Sequence, residues 1–411
     1  MNKLAALLPF DRLSRLADGL AVALAVSLPW STSATGILAV LWLLAVVPTL
    51  DVASVRRELS TAAGGLPALL WALAVVGMLW ADVPWAERLD GLNSFHKLLF
   101  IPLLLAQFRR SDAGRAVMIG FLASCAALLV VSWLLVLLPS LPWRGKYTIG
   151  VPVKDYISQS SMFTVAIFIL AYVALDIWRD GRRRLALALS LLALMFLLNI
   201  FQIATSRTAL VVIPVLLLAF GLKRLSWKGV AVLCAAGVIV TAAAWPFSSG
   251  LQQRVMTLFT EVRDYRPDAA STPAGERIEF WRKSVGFVAQ APVIGHGTGS
   301  IREQFRKSVV GQTGMAALAS ANPHNQTLAV AIQLGFVGTA VLFAMWIAHL
   351  LLFRGAGGAA WVGLVVVVQN IVGSLFNAHL FDFTQGWGYV IGLGVAGGIA
   401  LRNAAGAKAP G

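Results

Sequence analysis

Residues 116–138 read AVMIGFLASCAALLVVSWLLVLL, a run without a charged side chain. A helix needs roughly 20 consecutive apolar residues to cross the hydrocarbon core of a bilayer, and this run is long enough. The same character recurs on both sides of it. Twelve apolar segments stand out, at about 17–33, 36–50, 64–80, 95–108, 116–138, 159–178, 185–203, 208–222, 229–246, 326–353, 357–376 and 384–401. The second, fourth and eighth are short, and so open to tilting, breakage or partial insertion. Pro29, Pro48, Pro102 and Pro214 fall in or beside these segments, which a membrane tolerates where neighbours re-satisfy the backbone. Of the 411 residues, 58% are hydrophobic and 12% charged, about half the charged share of a soluble domain. A soluble enzyme and a disordered chain are both excluded on that ground. The fold class implied is all-α, a polytopic transmembrane bundle of about 12 spans.

The net charge of +15 reports topology before it reports a partner. Basic residues cluster in alternate connections: Lys3, Arg12 and Arg15; Arg56 and Arg57; Arg109, Arg110 and Arg115; Arg179 and Arg182 to Arg184; Lys223, Arg224 and Lys228; Arg354; Arg402 and Lys408. Short basic connections collect in the cytoplasm, which puts both termini there and gives no reason to invoke nucleic acid. The basic start, apolar run and Ser31-Thr32-Ser33-Ala34 have the outline of a signal peptide, but cleavage would break the alternation, so the run is read as the first span. Cys125 and Cys234 lie inside apolar runs with neither metal nor redox spacing. The chain divides into an N-terminal bundle (1–246), a large outer loop (247–325), C-terminal spans (326–402) and a short disordered tail (403–411).

That loop is too long and too charged for a bare connection. A small, mostly helical cap is expected. Leu251 to Tyr265 has amphipathic spacing, with Leu251, Val255, Leu258 and Val262 on one face, and could lie along the membrane surface. Glu276 to Val288 and Ile301 to Val309 read as two more helices, and Gly295-His296-Gly297-Thr298-Gly299 between them as a flexible turn. On the second helix Arg277 and Trp281 share a face and Glu276 lies on the next. A guanidinium beside a large aromatic suits an anionic or sugar-bearing ligand; a solvated surface helix is the plainer alternative.

Arg207, in Ala204-Thr205-Ser206-Arg207-Thr208-Ala209, stands between two apolar spans at the outer boundary. A cation there lines a cavity, meets an anion or snorkels to lipid phosphate. Lys154 and Asp155, in the loop 139–158, either pair with each other or meet a ligand; Lys146 and Tyr147 in the same loop suit an interfacial belt or ligand contact. Among the five histidines, His349, His96 and His379 suit hydrogen-bonded structural roles and His296 is open. His324 follows Asn322-Pro323, precedes Asn325 and starts a helix at the outer interface. A helix N-terminus favours the neutral imidazole that a general base needs; a capping role is the alternative. No metal-ligand cluster, no nucleotide loop and no chain of mid-membrane carboxylates is present, so no cofactor is expected.

The ordered set Ser206-Arg207-Thr208, Glu276-Arg277 with Trp281, Pro292-Val293-Ile294-Gly295-His296-Gly297-Thr298-Gly299, His324-Asn325 and Gln333-Leu334-Gly335-Phe336-Val337-Gly338 resembles the O-antigen ligase and polymerase superfamily. The resemblance implies a GT-C-like bacterial inner-membrane protein with its site facing the periplasm. It implies a metal-independent, inverting transfer of a glycan from undecaprenyl diphosphate to a sugar hydroxyl of lipid A-core, with membrane lipids around it. His324 would be the base, Arg207 and Arg277 would neutralise the diphosphate, and Lys154, Tyr147, Glu276, Trp281 and Asn325 would contact substrate. One dominant late outer loop is more like a ligase than a polymerase; a protein O-oligosaccharyltransferase is the near alternative. From another class, a lipid-glycan transporter or a structural partner of an envelope assembly stays open.

Overall fold

The computed structural model describes residues 10–141, 143, 149–245, 249–268 and 270–406. Among them there is no strand. The helices are α1 (Phe10–Ser27), α2 (Thr32–Val46), α3 (Val52–Leu59), α4 (Ala62–Gly77), α5 (Trp85–His96), α6 (Phe100–Phe108), α7 (Gly114–Leu137), α8 (Tyr156–Arg179), α9 (Arg183–Gln202), α10 (Arg207–Arg224), α11 (Trp227–Ala244), α12 (Ser249–Arg263), α13 (Pro273–Gln290), α14 (Ile301–Ser308), α15 (Gln326–Leu352), α16 (Gly358–Gly373) and α17 (Phe383–Gly406). All twelve apolar segments fall on helices. Six stretches among the described residues are long and apolar enough to cross a membrane alone, and a seventh is the pair α3 and α4, bent by 85°. The chain is a helical membrane protein. Its C-terminal end corrects one expectation: residues 403–406 continue α17 rather than starting a disordered tail.

The bend between α3 and α4 places charge without exposing it. Glu58, at the end of α3, is fully buried, and Arg57 and Arg109 reach it at 2.9 and 2.8 Å. A buried carboxylate needs such partners. Elsewhere the core is apolar and continuous, centred on α8, α16 and α17 with Trp42, Phe163, Phe196, Trp361 and Tyr389 inside it. His349 is one of its structural histidines, bonded to the Ala63 carbonyl and the Tyr389 hydroxyl.

Between α11 and α15 the described residues form the helices α12, α13 and α14 and the loops that join them. On α12 the side chains of Leu251, Val255 and Leu258 lie outside the described ones, while Val262 is exposed. α13 packs along the start of α15.

The glycine-rich stretch after α13 is not a flexible turn. α15 is broken at Gly335, whose φ is +60°. A break there frees two carbonyls and two amides that an unbroken helix pairs four residues apart. The loop takes all four: His296 N donates to the Ile332 carbonyl (2.8 Å) and Gly297 N to that of Gln333 (2.9 Å), while Phe336 N and Val337 N donate to the carbonyls of Pro292 (2.7 Å) and Val293 (3.2 Å). Thr298 then fastens the same loop to α4, through Gly77 O at 3.0 Å and Ala74 O at 2.6 Å. His296 is structural, its Nε2 bonded to Phe287 O at 2.8 Å. At a helix rise of about 1.5 Å per residue, the break lies roughly 13 Å below the start of α15. The loop is therefore a wedge set into the bundle.

A Cβ at Gly297 would stand 2.5 Å from the Ala81 Cα, and φ there is +89°. Gly297→Ala is expected to lower the melting temperature of the detergent-purified protein, with at least ~1–2 kcal/mol from the left-handed backbone alone. Gly286→Ala, which meets open space, is the control and is expected to hold or gain stability. Equal melting temperatures for the two variants would refute the wedge.

Candidate functional site

His324 is held in an unusual backbone conformation, φ +53°. For a residue with a Cβ this costs about 1–2 kcal/mol, so its surroundings must supply more. Its amide donates to Asn322 Oδ1 (2.8 Å) and its carbonyl accepts from Trp281 Nε1 (3.3 Å). Its ring lies nearly parallel to Phe280, centroids 5.8 Å apart. Two bonds at roughly 0.5–1.5 kcal/mol each and the ring contact offset the strain. The capping role left open for His324 belongs instead to Asn325, whose Oδ1 accepts from Leu328 N at 3.0 Å; its Nδ2 donates to the Leu375 carbonyl at 3.2 Å.

The ring's tautomer follows from its neighbours. Asn377 Oδ1 accepts from Asn322 Nδ2 (2.9 Å), and Asn377 Nδ2 donates to the Asp382 carboxylate (2.7 Å). That fixes the amide with its oxygen toward His324 Nδ1, 3.0 Å away. Nδ1 is therefore the donor and Nε2 carries the free lone pair. Burial, and then the charge of Arg277, hold the imidazole below its ordinary value, against the Asn377 bond that raises it. The segment bearing Asn377 and Asp382 is itself clamped: Gln326 Oε1 accepts from Leu380 N at 2.9 Å, and Lys97 Nζ donates to the carbonyls of Phe381 and Asp382 at 2.9 and 3.0 Å. Burial raises the Asp382 carboxyl to about 7 against the pull of Lys97.

Of the two arginines singled out, Arg277 is the one whose charge acts on His324. Ser206 caps α10, accepting from Ala209 N at 3.1 Å, and so sets Arg207 in the first turn. Arg207 meets an anion of this chain, Glu261 on α12 at 3.4 Å. The same Glu261 oxygen accepts from Ala274 N at 3.0 Å and so ties α12 to the start of α13. Arg277 is half-buried and makes no hydrogen bond or ion pair among the described residues. Its guanidinium is pushed below its ordinary value by burial first and by Arg207 second, with Tyr156, Glu276 and Glu261 acting the other way. Arg207, Arg277 and His324 thus share one electrostatic neighbourhood. Glu276 accepts from the Ser271 hydroxyl. Trp281 is committed to the His324 carbonyl, so it positions that residue.

Lys154 is brought elsewhere. It does not pair with Asp155, whose carboxylate caps α8 through Ile157 N and Ser158 N at 2.9 and 2.8 Å. Lys154 Nζ donates to the Leu28 carbonyl and to Thr384 Oγ1, and burial lowers it to about 8. It lines an open cleft of about 750 Å³ that Asn377 and Asp382 also face. A second cleft, about 210 Å³, reaches Asp382 and Asn322 from the side of Glu87, Asp90 and Arg302. Tyr147 lies outside the described residues. Sequence reasoning missed Asn377 as the partner of His324, and Tyr156 and Glu261 beside the arginines. Only Asp382 carried a signal, as an acidic residue between two spans. Among the described residues no three His, Cys, Asp or Glu side chains are grouped to hold a metal ion.

The model of a family described as O-antigen ligase matches residues 192–343. That range takes in Arg207, α12, α13, the glycine wedge, His324 and the break at Gly335, and it carries the superfamily resemblance read from the motifs. No curated protein sequence matches the chain.

Nitrogen-15 spectra of the histidine-labelled protein are expected to show His324 as the Nδ1-protonated tautomer at pH 7, titrating below the ordinary value of about 6.5. Arg277→Gln removes a lowering charge and should raise that midpoint. Asn377→Leu removes a raising bond and should lower it. Midpoints that move in the opposite senses would disprove the assignment of these neighbours.

Proposed function

We propose that the protein is an O-antigen ligase: it transfers a glycan from undecaprenyl diphosphate to a sugar hydroxyl of lipid A-core at the periplasmic face of the bacterial inner membrane. The proposed topology is about twelve crossings, GT-C-like, with both termini in the cytoplasm. The observation that carries the reading is an imidazole with Nδ1 bonded to Asn377 and its charged form disfavoured, beside a half-buried arginine that has no hydrogen bond or ion pair among the described residues.

In this reading the acceptor hydroxyl gives its proton to His324 Nε2 as its oxygen attacks the anomeric carbon. The bond from that carbon to the diphosphate oxygen breaks, and the electron pair leaves with the diphosphate. Attack opposite the leaving group inverts the anomeric centre. Guanidinium groups are suited to the charge that develops, since bidentate contacts to phosphate are strong and favour the transition state where negative charge grows. Arg277, which has no ion pair among the described residues, would make them at once; Arg207 would exchange Glu261 for phosphate. Asn377 and Asp382 keep Nδ1 protonated and favour the imidazolium that forms at the end of proton transfer. Glu276, Lys154 and, from the sequence, Tyr147 remain proposed contacts to sugar or phosphate.

Purified protein in detergent, given lipid-linked glycan and lipid A-core, is expected to form the capped product without a membrane gradient and in the presence of a chelator. His324→Ala should lower kcat by roughly 10²–10⁴-fold, and Arg277→Ala or Arg207→Ala by about 10²–10³-fold. Movement of donor without covalent product would instead establish a transporter. Because the imidazole is held low, the neutral base is present at pH 7 and is lost only on acidification. The acid limb of kcat/KM is therefore expected below pH 6.5, the ordinary imidazole value being about 6.5. A limb above pH 7 would remove His324 as the base.

A further inference from the structure

A cavity of about 410 Å³ lies between α1, α7, α8, α16 and α17. It falls in the size range of sites that take whole small molecules, roughly 300–1,000 Å³. Its walls are apolar, with Phe121, Ile169, Val366 and Ile391 among them. Its two ends differ. At one end stand Arg115, at the start of α7, and Asp176, near the end of α8 and paired with Arg224. At the other end stand Gln369, Asn370, His379 and Gln385, where no lining side chain carries a charge.

That uncharged end is chemically unfinished. Asn370 is 3% exposed and His379 1%. Neither amide atom of Asn370, neither ring nitrogen of His379 and not the Gln369 Oε1 has a hydrogen-bond partner among the described residues. The expectation of a hydrogen-bonded structural role for His379 is corrected by this. A polar group buried without a partner is costly, and here several converge on one cavity end. Together they offer donors and acceptors in a small space, at the head of an apolar chamber.

We propose that this cavity is a binding site for a neutral, single-chain amphiphile, a long-chain alcohol, with its chain between α7, α8 and α16 and its hydroxyl bonded to Asn370 and His379. A phosphate head is excluded by the chemistry of that end, which offers amides and an imidazole but no cation. The nearby cation of Lys154 is committed to the Leu28 carbonyl and to Thr384 on the cleft side. Gln385 and its neighbour Thr384 give the route in, since Gln385 lines both this cavity and the open cleft. The site is separate from the proposed transfer, whose donor head is a diphosphate.

The full-length protein in nanodiscs is illuminated with hexadecanol carrying a diazirine on its chain, and labelled peptides are identified by mass spectrometry. Labelling of peptides from α7, α8 and α16 is expected, displaced by excess hexadecanol and not by hexadecyl phosphate. Asn370→Leu, which removes the polar head contacts, and Gly388→Leu, which adds bulk beside the lining residues Met162 and Leu28, should each cut labelling at least tenfold. Farnesol as competitor separates the sources: displacement better than by hexadecanol assigns an isoprenoid chain, weaker displacement a straight one. No labelling, displacement by hexadecyl phosphate equal to that by hexadecanol, or full labelling in both variants overturns the proposal. If Asn370→Leu does not fold, Gly388→Leu and the wild-type competition still decide. Transfer activity is not read, so failure here leaves the ligase reading untouched.

Discussion

Inside a bilayer no water is at hand for a backbone group, and each one left unpaired costs several kcal/mol. The break in α15 at Gly335 sets that demand, and the loop from Pro292 to Gly297 meets it with four main-chain hydrogen bonds. The consequence is positional. α13 runs directly into this loop, so its register against α15 is set by bonds deep in the bundle. Arg277 rides on α13 and His324 precedes α15. The distance between the proposed base and the proposed phosphate contact is therefore governed by the wedge, well below either residue.

Charge at the site is arranged with a deficit. Arg207 is half-satisfied by Glu261, and Arg277, with no ion pair among the described residues, feels Arg207 as a like charge. Two guanidinium groups in partly buried surroundings repel, and a bound dianion such as the proposed donor's diphosphate would relieve that repulsion. In the proposed transfer, binding and transition-state stabilisation would draw on the same deficit, because negative charge on the leaving group would grow as the bond to the sugar breaks. The arrangement would also protect the proposed base. Burial first, and the Arg277 charge second, hold the His324 imidazole below its ordinary value, while in the proposed transfer Asn377, backed by Asp382, would support the ring once the proton arrives.

Much of this was legible in the sequence where the signal was local. Apolar runs fixed which segments are helical, since hydropathy and helix length are properties of one stretch of chain. The order of Arg207, Arg277 and His324 carried the resemblance. What escaped depends on residues far apart in sequence. Nothing near His324 announces that Asn377, 53 positions later, turns its ring. Gly295 to Gly299 read as a turn because five residues rich in glycine look permissive alone; their partners lie in α4 and α15. Lys154 and Asp155 looked like a pair because they are adjacent, yet backbone geometry sends one to a helix cap and the other across to α1.

The segment between α16 and α17 has two faces, and its rigidity decides how they relate. One face presents Asn377 and Asp382 toward His324; the other presents His379 to the apolar cavity. A ligand on one face can alter the other only if the segment has two conformations that the ligand binds unequally. Gln326, Lys97 and the turn bonds from Ala378 to Phe381 and Asp382 leave few main-chain groups free to exchange. A second conformation would have to break several of these in a low-dielectric interior, where unpaired groups are costly. The cavity and the proposed transfer site are thus neighbours without being a switch: an occupant would stabilise the bundle beneath the base, and the base would keep its geometry whether or not the cavity is filled.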